Sequence, residues 1–230
     1  MAQTETPELP DVDSDMSFWW ALLSNRGQRG GVAIGGILVR QAIPLIGVLI
    51  LHWSAQKFLL LAVINFGWNW TLLGVWNIAT SALVKARRGG KPVPAGTWMQ
   101  MTLVGAVVLC IVTGGFGFPV YTMSSAPPVF DAFWWIALAT TLLSPLPNVV
   151  ELIREGVTSS LSDDQIEAFA KPRRQLLMVG IIPIIGAYEL LANFPYPGTI
   201  NAVAVGYVLF ATLCELRPDL AAEFAKELPS

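Results

Sequence analysis

"KFLLLAVINFGWNWTLLGVWNIATSAL", residues 57–83, decides the fold class, because it holds a single charged side chain, Lys57, at its start. A helix that crosses the hydrocarbon core of a bilayer needs about 20 consecutive, mostly apolar residues. Five more stretches meet this requirement: 31–52, 97–120, 130–152, 174–194 and 198–216. We therefore predict an all-α protein, a polytopic membrane helix bundle with six transmembrane helices over residues 28–216.

The amino-acid composition points the same way. Hydrophobic residues make up 54% of the chain and charged residues 13%, and the mean hydropathy is +0.58. A soluble domain carries roughly a quarter charged residues. The chain therefore lacks the composition of a soluble domain.

Lys and Arg near the span ends predict which side of the membrane each loop occupies, because cytoplasmic loops carry an excess of both. Twelve of them lie before span one, between spans two and three, between spans four and five, or after span six: Arg26, Arg29, Lys85, Arg87, Arg88, Lys91, Arg154, Lys171, Arg173, Arg174, Arg217 and Lys226. The opposite face has Lys57 alone. We therefore place both termini in the cytoplasm and the chain in the cytoplasmic membrane, which requires an even number of spans.

Short segments flank and connect the spans. Residues 1–16 form an acidic tail, and residues 17–27, "SFWWALLSNRG", are predicted to form a short interfacial helix. Residues 217–230 form an amphipathic C-terminal tail. Before span five, Ser162 and Gln165 have the spacing of a capping box, and Pro172 is expected to end the helix that they begin.

Two similar proline motifs lie inside predicted spans, "AIPLIGVLIL" (42–51) and "IIPIIGAYEL" (181–190). Proline removes a helix hydrogen bond and bends the helix, so kinks are predicted in spans one, four and five, at Pro44, Pro145, Pro147 and Pro183. The kinks indicate either broken helices that line a site or bends that fit the bundle. The offset of 139 between Pro44 and Pro183 also leaves open a parallel repeat of spans 1–2 and 5–6.

The candidate site is a cluster of polar side chains within the spans: Arg40, Asn65, Asn69, Asn77, Asn148, Glu151 and Glu189. Arg40 is the strongest candidate, because a charged side chain within a membrane span usually faces the protein interior or a cavity. We expect it to turn inward, toward Asn77 or toward the broken part of span four near Asn148 and Glu151. The alternatives are that Arg40 extends to the interface and that the asparagines only bond neighbouring helices.

The sequence offers no catalytic constellation. His52 is its only histidine, and Cys110 and Cys214 lie far apart, so we predict no metal site and no catalytic residues. No cofactor is predicted, although the tryptophans and asparagines of span two leave open a pocket for lipid or a flat apolar ligand. The expected partners are the lipid bilayer and other membrane subunits or a second copy, and nucleic acid is not expected.

"IPLIGVLILHWSAQKFLLL", the Asn-rich second span and the final "CELRPDL" resemble a group of uncharacterised six-span integral membrane proteins of bacteria and archaea. The resemblance implies six spans and carries no activity. The leading hypothesis for the function is a non-catalytic accessory or scaffold subunit of a larger membrane complex. The alternatives are a small transporter or channel with a site between proline-broken helices, and a membrane-embedded enzyme.

Overall fold

The computed structural model describes residues 29–124 and 127–216, and all regular structure within these residues is helical. The elements follow in the order α1 (Arg29–Leu49), α2 (Ala55–Gly89), α3 (Ala95–Val112), a π-helical turn (Thr113–Gly117), α4 (Phe118–Tyr121), α5 (Ala132–Leu143), α6 (Leu146–Thr158), α7 (Asp163–Asn193) and α8 (Pro197–Leu216). The predicted acidic tail 1–16, interfacial helix 17–27 and C-terminal tail 217–230 lie outside the described residues.

The long helix α2 lies at the centre of the bundle. It packs against the π-helical turn and the other α-helices, and its contact with α8 is a small one that includes Phe58 and Tyr207, because α8 packs mainly on α1 and α7. Half of the most apolar 18-residue stretch of α2 is buried inside the structure. The corresponding share is 17% for Ala95–Tyr121 and 11% for Ala132–Thr158. The main core therefore forms around the first half of α2, where Phe58, Leu59 and Phe66 are buried.

Local sequence sets the ends of the helices. Ser54 caps α2, because its Oγ accepts a hydrogen bond from the Lys57 N–H at 3.4 Å. Gly90 ends the same helix with φ +60°, a left-handed conformation that glycine adopts at little cost. At the start of α7, Ser162 and Gln165 form the predicted capping box with reciprocal bonds of 3.2 and 2.8 Å.

Three helical segments are long and apolar enough to cross a membrane: Ala55–Gly89, Ala95–Tyr121 and Ala132–Thr158. Three shorter apolar segments accompany them, at Ile37–Leu49, Gly180–Asn193 and Pro197–Leu213. The all-helical bundle with apolar helices agrees with the predicted fold class. The number of six spans and the orientation of the termini remain predictions.

The helix predicted to end at Pro172 does not end there, which corrects the sequence analysis. Helix α7 is continuous from Asp163 to Asn193 and passes through both Pro172 and Pro183. Its buried positions, which include Ile166, Ala170 and Ile184, recur at helical spacing. Packing of this face keeps the residues before and after Pro172 in one helix, because tertiary contacts override local propensity.

The predicted prolines differ in their effect on the helices. Helix α1 continues through Pro44, and α7 continues through Pro183, so neither helix is broken there, and the predicted kinks at these two positions remain predictions. Span four is interrupted, because α5 ends at Leu143 and α6 begins at Leu146.

Candidate functional site

Arg40 is buried in the bundle, with 7% of its surface exposed. It lines a small cavity whose volume is about 10 Å³, roughly the space that one water molecule occupies. The walls come from α1, α2, α5 and α8, through Arg40, Gln41, Pro44, Phe58, Leu61, Ala62, Asn65, Thr141 and Tyr207. We call these residues the Arg40 cavity.

The polar groups of the Arg40 cavity come from four helices. Gln41 follows Arg40 on α1, Asn65 lies on α2, Thr141 on α5 and Tyr207 on α8. Pro44 has no N–H to donate to the Arg40 carbonyl, so this carbonyl loses its donor within the helix. A charged side chain and a backbone acceptor thus lie on one turn of α1, and the cavity gathers amide and hydroxyl groups that can bond them.

Some of the predicted site residues meet here and others do not. Asn65 lines the cavity, and Asn69 reaches it indirectly, because the Asn69 amide donates to Asn65 Oδ1 at 3.4 Å. Asn77 lies 12 residues beyond Asn65, about 18 Å along the helix, and is not among the lining residues. The Arg40 cavity therefore includes Asn65 and not Asn77, and a contact between Arg40 and Asn77 stays a prediction.

The three remaining candidates also lie outside the Arg40 cavity. Asn148 is exposed on α6, after the break in span four. Glu151 lies 3.9 Å from Arg154 on the same helix. Glu189 is exposed near the end of α7, and its carbonyl accepts a bond of 2.8 Å from the Asn193 side chain. Arg40 and Thr141, which precedes the break, line the same cavity, and no residue of α6 is among those that line it.

The interruption at Ser144–Pro145 is stabilised by a tryptophan. The Trp68 indole Nε1 donates to the Leu142 carbonyl at 2.8 Å. Carbonyl groups near a helix break need a substitute donor inside an apolar environment. One tryptophan of span two therefore has a structural role at the break.

At the N-terminal end of α2, the Asp131 carboxylate accepts several hydrogen bonds, although Asp131 was not among the predicted site residues. Its Oδ2 accepts from Lys57 Nζ at 2.7 Å and from Trp53 Nε1 at 3.1 Å, while its Oδ1 caps α5 through the Trp134 N–H at 2.8 Å. The hydrogen bond from Lys57 is the main reason that the pKa of Asp131 lies below its ordinary value of 3.8. We call these four residues the Asp131 cluster.

The Asp131 cluster joins three parts of the chain. Trp53 precedes α2, Lys57 lies in its first turn, and Asp131 and Trp134 begin α5. The Trp134 indole donates in turn to the Lys57 carbonyl at 3.1 Å. A sequence signal existed, since Asp131 precedes the helix at capping spacing and Lys57 is the single cation at this end.

Trp53 also packs against Gly47 of the first proline motif. A Cβ atom placed on Gly47 would lie within 2.6 Å of three carbon atoms of the Trp53 ring, which leaves no room for a side chain. A Cβ on Gly186, the corresponding glycine of the second motif, would meet nothing within 4 Å. The two motifs are similar in sequence but have different surroundings.

Basic residues gather at the opposite end of α2. Arg87 Nη1 donates to the Val157 carbonyl at 2.8 Å, and Arg88 Nη2 donates to the Ser160 carbonyl at 2.5 Å. These contacts place the loop after α2 and the loop after α6 at one end of the bundle. Which side of the membrane that end faces remains a prediction.

Comparison with models of known protein families, with curated proteins and with solved structures finds no match to this chain. Among the described residues, no three His, Cys, Asp or Glu side chains are grouped so that they could hold a metal ion. The function is therefore inferred from the bundle itself and from its surfaces.

Proposed function

We propose that the chain is a six-span protein of the cytoplasmic membrane that acts as a non-catalytic accessory or scaffold subunit of a larger membrane assembly. Three long apolar helices and three shorter ones support the membrane location. The Arg40 cavity has room for about one water molecule, so its volume favours a packing role over a substrate site.

The outer face of α3 and α4 is the observation that carries the subunit role. Large apolar side chains at intervals of four to seven residues are 47–73% exposed along it: Met99, Leu103, Val107, Ile111 and Phe118. Between Ile111 and Phe118 lie Gly114 and Gly115, where an added Cβ would meet nothing within 4 Å. Small residues let a second helix approach closely in a membrane, so this face suits a helix of a partner subunit.

The subunit role is tested by crosslinking in native membranes. A photo-crosslinking residue at position 111 is expected to capture a defined membrane protein, which mass spectrometry of the gently extracted complex then identifies. The matched control is position 182 on α7, because Ile182 is similarly apolar and 52% exposed. Capture of nothing but lipid from both positions would contradict the subunit role.

A transporter or channel is the second candidate, and the buried Arg40 favours it. Charged residues within membrane spans often mark ion or substrate pathways. Because the positive charge of Arg40 attracts anions, proteoliposomes that contain the purified chain would then show a chloride or phosphate flux that the Arg40→Leu variant lacks. Equal fluxes for empty vesicles, parent and variant would reject transport of these ions.

A further inference from the structure

Arg87 and Arg88, in the last turn of α2, differ in their hydrogen-bond partners from the other cations at the same end of the bundle. Lys85 pairs with Asp163 at 3.1 Å, and Arg154 lies 3.9 Å from Glu151. Arg87 and Arg88 instead bond neutral carbonyl groups, and within the described part of the chain neither has an acidic partner. Their positive charge is therefore not neutralised by these contacts.

The surrounding sequence strengthens this excess of positive charge. No Asp or Glu occurs anywhere from residue 16 to residue 130, and Lys91 follows the two arginines directly after the turn at Gly90. Lys91 is exposed, and its side chain has no acidic partner among the residues that the structure describes. Three adjacent cations thus lie on one turn, without a local counter-charge from their own segment.

Helix geometry places these cations at the depth of lipid phosphates. Lys57 and Arg87 are 30 residues apart on one helix, about 45 Å at 1.5 Å per residue. A bilayer with its headgroup regions is about 40–45 Å thick. If the Asp131 cluster lies at one membrane surface, Arg87 lies at the other.

Exposed aromatic side chains mark the same two levels. Trp98, in the first turn of α3, is 52% exposed next to the basic turn, and Trp135 is 55% exposed beside the Asp131 cluster. Tryptophan is enriched at both membrane–water interfaces. These residues support the assignment of depth independently of the length of α2.

We propose that Arg87, Arg88 and Lys91 bind the phosphate of an anionic phospholipid headgroup, with Trp98 at the interface beside it. The carbonyl bonds hold the two guanidinium groups in place and leave other N–H donors of each fork for phosphate oxygens. This proposal rests on the membrane location given under the proposed function. It adds that the leaflet on the side of Arg87 supplies an anionic phospholipid as a ligand.

The test measures lipid binding by the full chain in a neutral detergent. Native mass spectrometry follows the titration with short-chain phosphatidylglycerol, with phosphatidylcholine and inorganic phosphate as comparisons. Each cation at an anionic lipid surface contributes about fivefold in affinity. We expect Arg87→Gln/Arg88→Gln to weaken phosphatidylglycerol binding about 25-fold and Lys91→Gln about fivefold.

Two further comparisons separate this site from general charge attraction and from misfolding. Arg154→Gln/Lys171→Gln removes two exposed cations from the same end and is expected to change binding less than twofold. Lys91→Gln removes no side-chain hydrogen bond of the described structure, so it tests the site even if the double arginine variant fails to fold. Circular dichroism and size-exclusion chromatography check the fold of each variant.

The outcomes that overturn the proposal are distinct. Equal losses in the control pair would show diffuse charge attraction, and competition by inorganic phosphate at equal concentration would show a site for free phosphate. Unchanged binding in Lys91→Gln, with the chain still in the membrane fraction, would reject the lipid site alone. Recovery of the chain in the soluble fraction without detergent would reject the proposed membrane function itself.

Discussion

Replacing Gly47 with alanine tests the packing of the first proline motif. The new methyl group would overlap the Trp53 ring, because its Cβ would lie within 2.6 Å of three ring carbons. Trp53 must then move, and its hydrogen bond of 3.1 Å to Asp131 is lost. The change therefore strains the core and disturbs the Asp131 cluster together.

The size of the effect follows from three contributions. Overpacking of a core costs about 1–3 kcal/mol, and the lost bond to a partly exposed carboxylate costs about 1.5 kcal/mol. Alanine is about 1 kcal/mol more favourable than glycine inside a helix. We expect Gly47→Ala to lower the free energy of unfolding by about 1.5–3.5 kcal/mol.

Gly186→Ala is the matched control, because Gly186 occupies the same place in the second motif and has open space around it. It is expected to leave stability unchanged or to raise it by up to about 1 kcal/mol. Both variants are compared by reversible unfolding in mixed micelles, followed by circular dichroism. Equal effects of the two substitutions would show that the contact with Trp53 does not decide the stability at Gly47.

Three further predictions concern other contacts. Trp68→Phe removes the donor to the Leu142 carbonyl and should destabilise the bundle by about 1–3 kcal/mol; an unchanged unfolding midpoint would show that the break needs no donor. Because the pKa of Asp131 is lowered, its stabilising contribution should be constant above about pH 5 and lost as the pH falls below 3.8. The midpoints of parent and Asp131→Asn at pH 7 and pH 3 check this, and a parallel dependence would contradict it. Gly156→Ala would place its Cβ 2.6 Å from the Thr80 methyl group and should cost about 1–3 kcal/mol in the same assay; full stability would show that α2 and α6 can separate there.

The apolar runs predicted the helices well, because length and hydropathy are local properties. The continuity of α7 through Pro172 was not predictable, since it depends on a buried face that Ile166 and Ala170 share with Ile184, more than three turns beyond the proline. Proline signals a helix end only when no tertiary packing opposes it.

For the candidate site, the sequence also could not show which residues of neighbouring helices lie at the same depth. The cost of burying a charge indicated Arg40 as a site residue. The sequence did not show how α1 and α2 are offset along their axes: Asn65 of α2 lines the Arg40 cavity, whereas Asn77, about 18 Å further along the helix, does not. Relative depth depends on where each helix ends, and a few residues of error move a contact by a full turn.

The accessibility of the two ends of α2 in intact cells tests most directly whether the bundle spans the membrane. Single cysteines replace Val129, beside the Asp131 cluster and 80% exposed, and Lys91, at the basic turn, with Cys110 and Cys214 changed to alanine. A membrane-impermeant maleimide is expected to label position 129 from outside and position 91 only after the membrane is opened. Labelling of both positions from the same side would contradict a bundle that spans the membrane between these two ends.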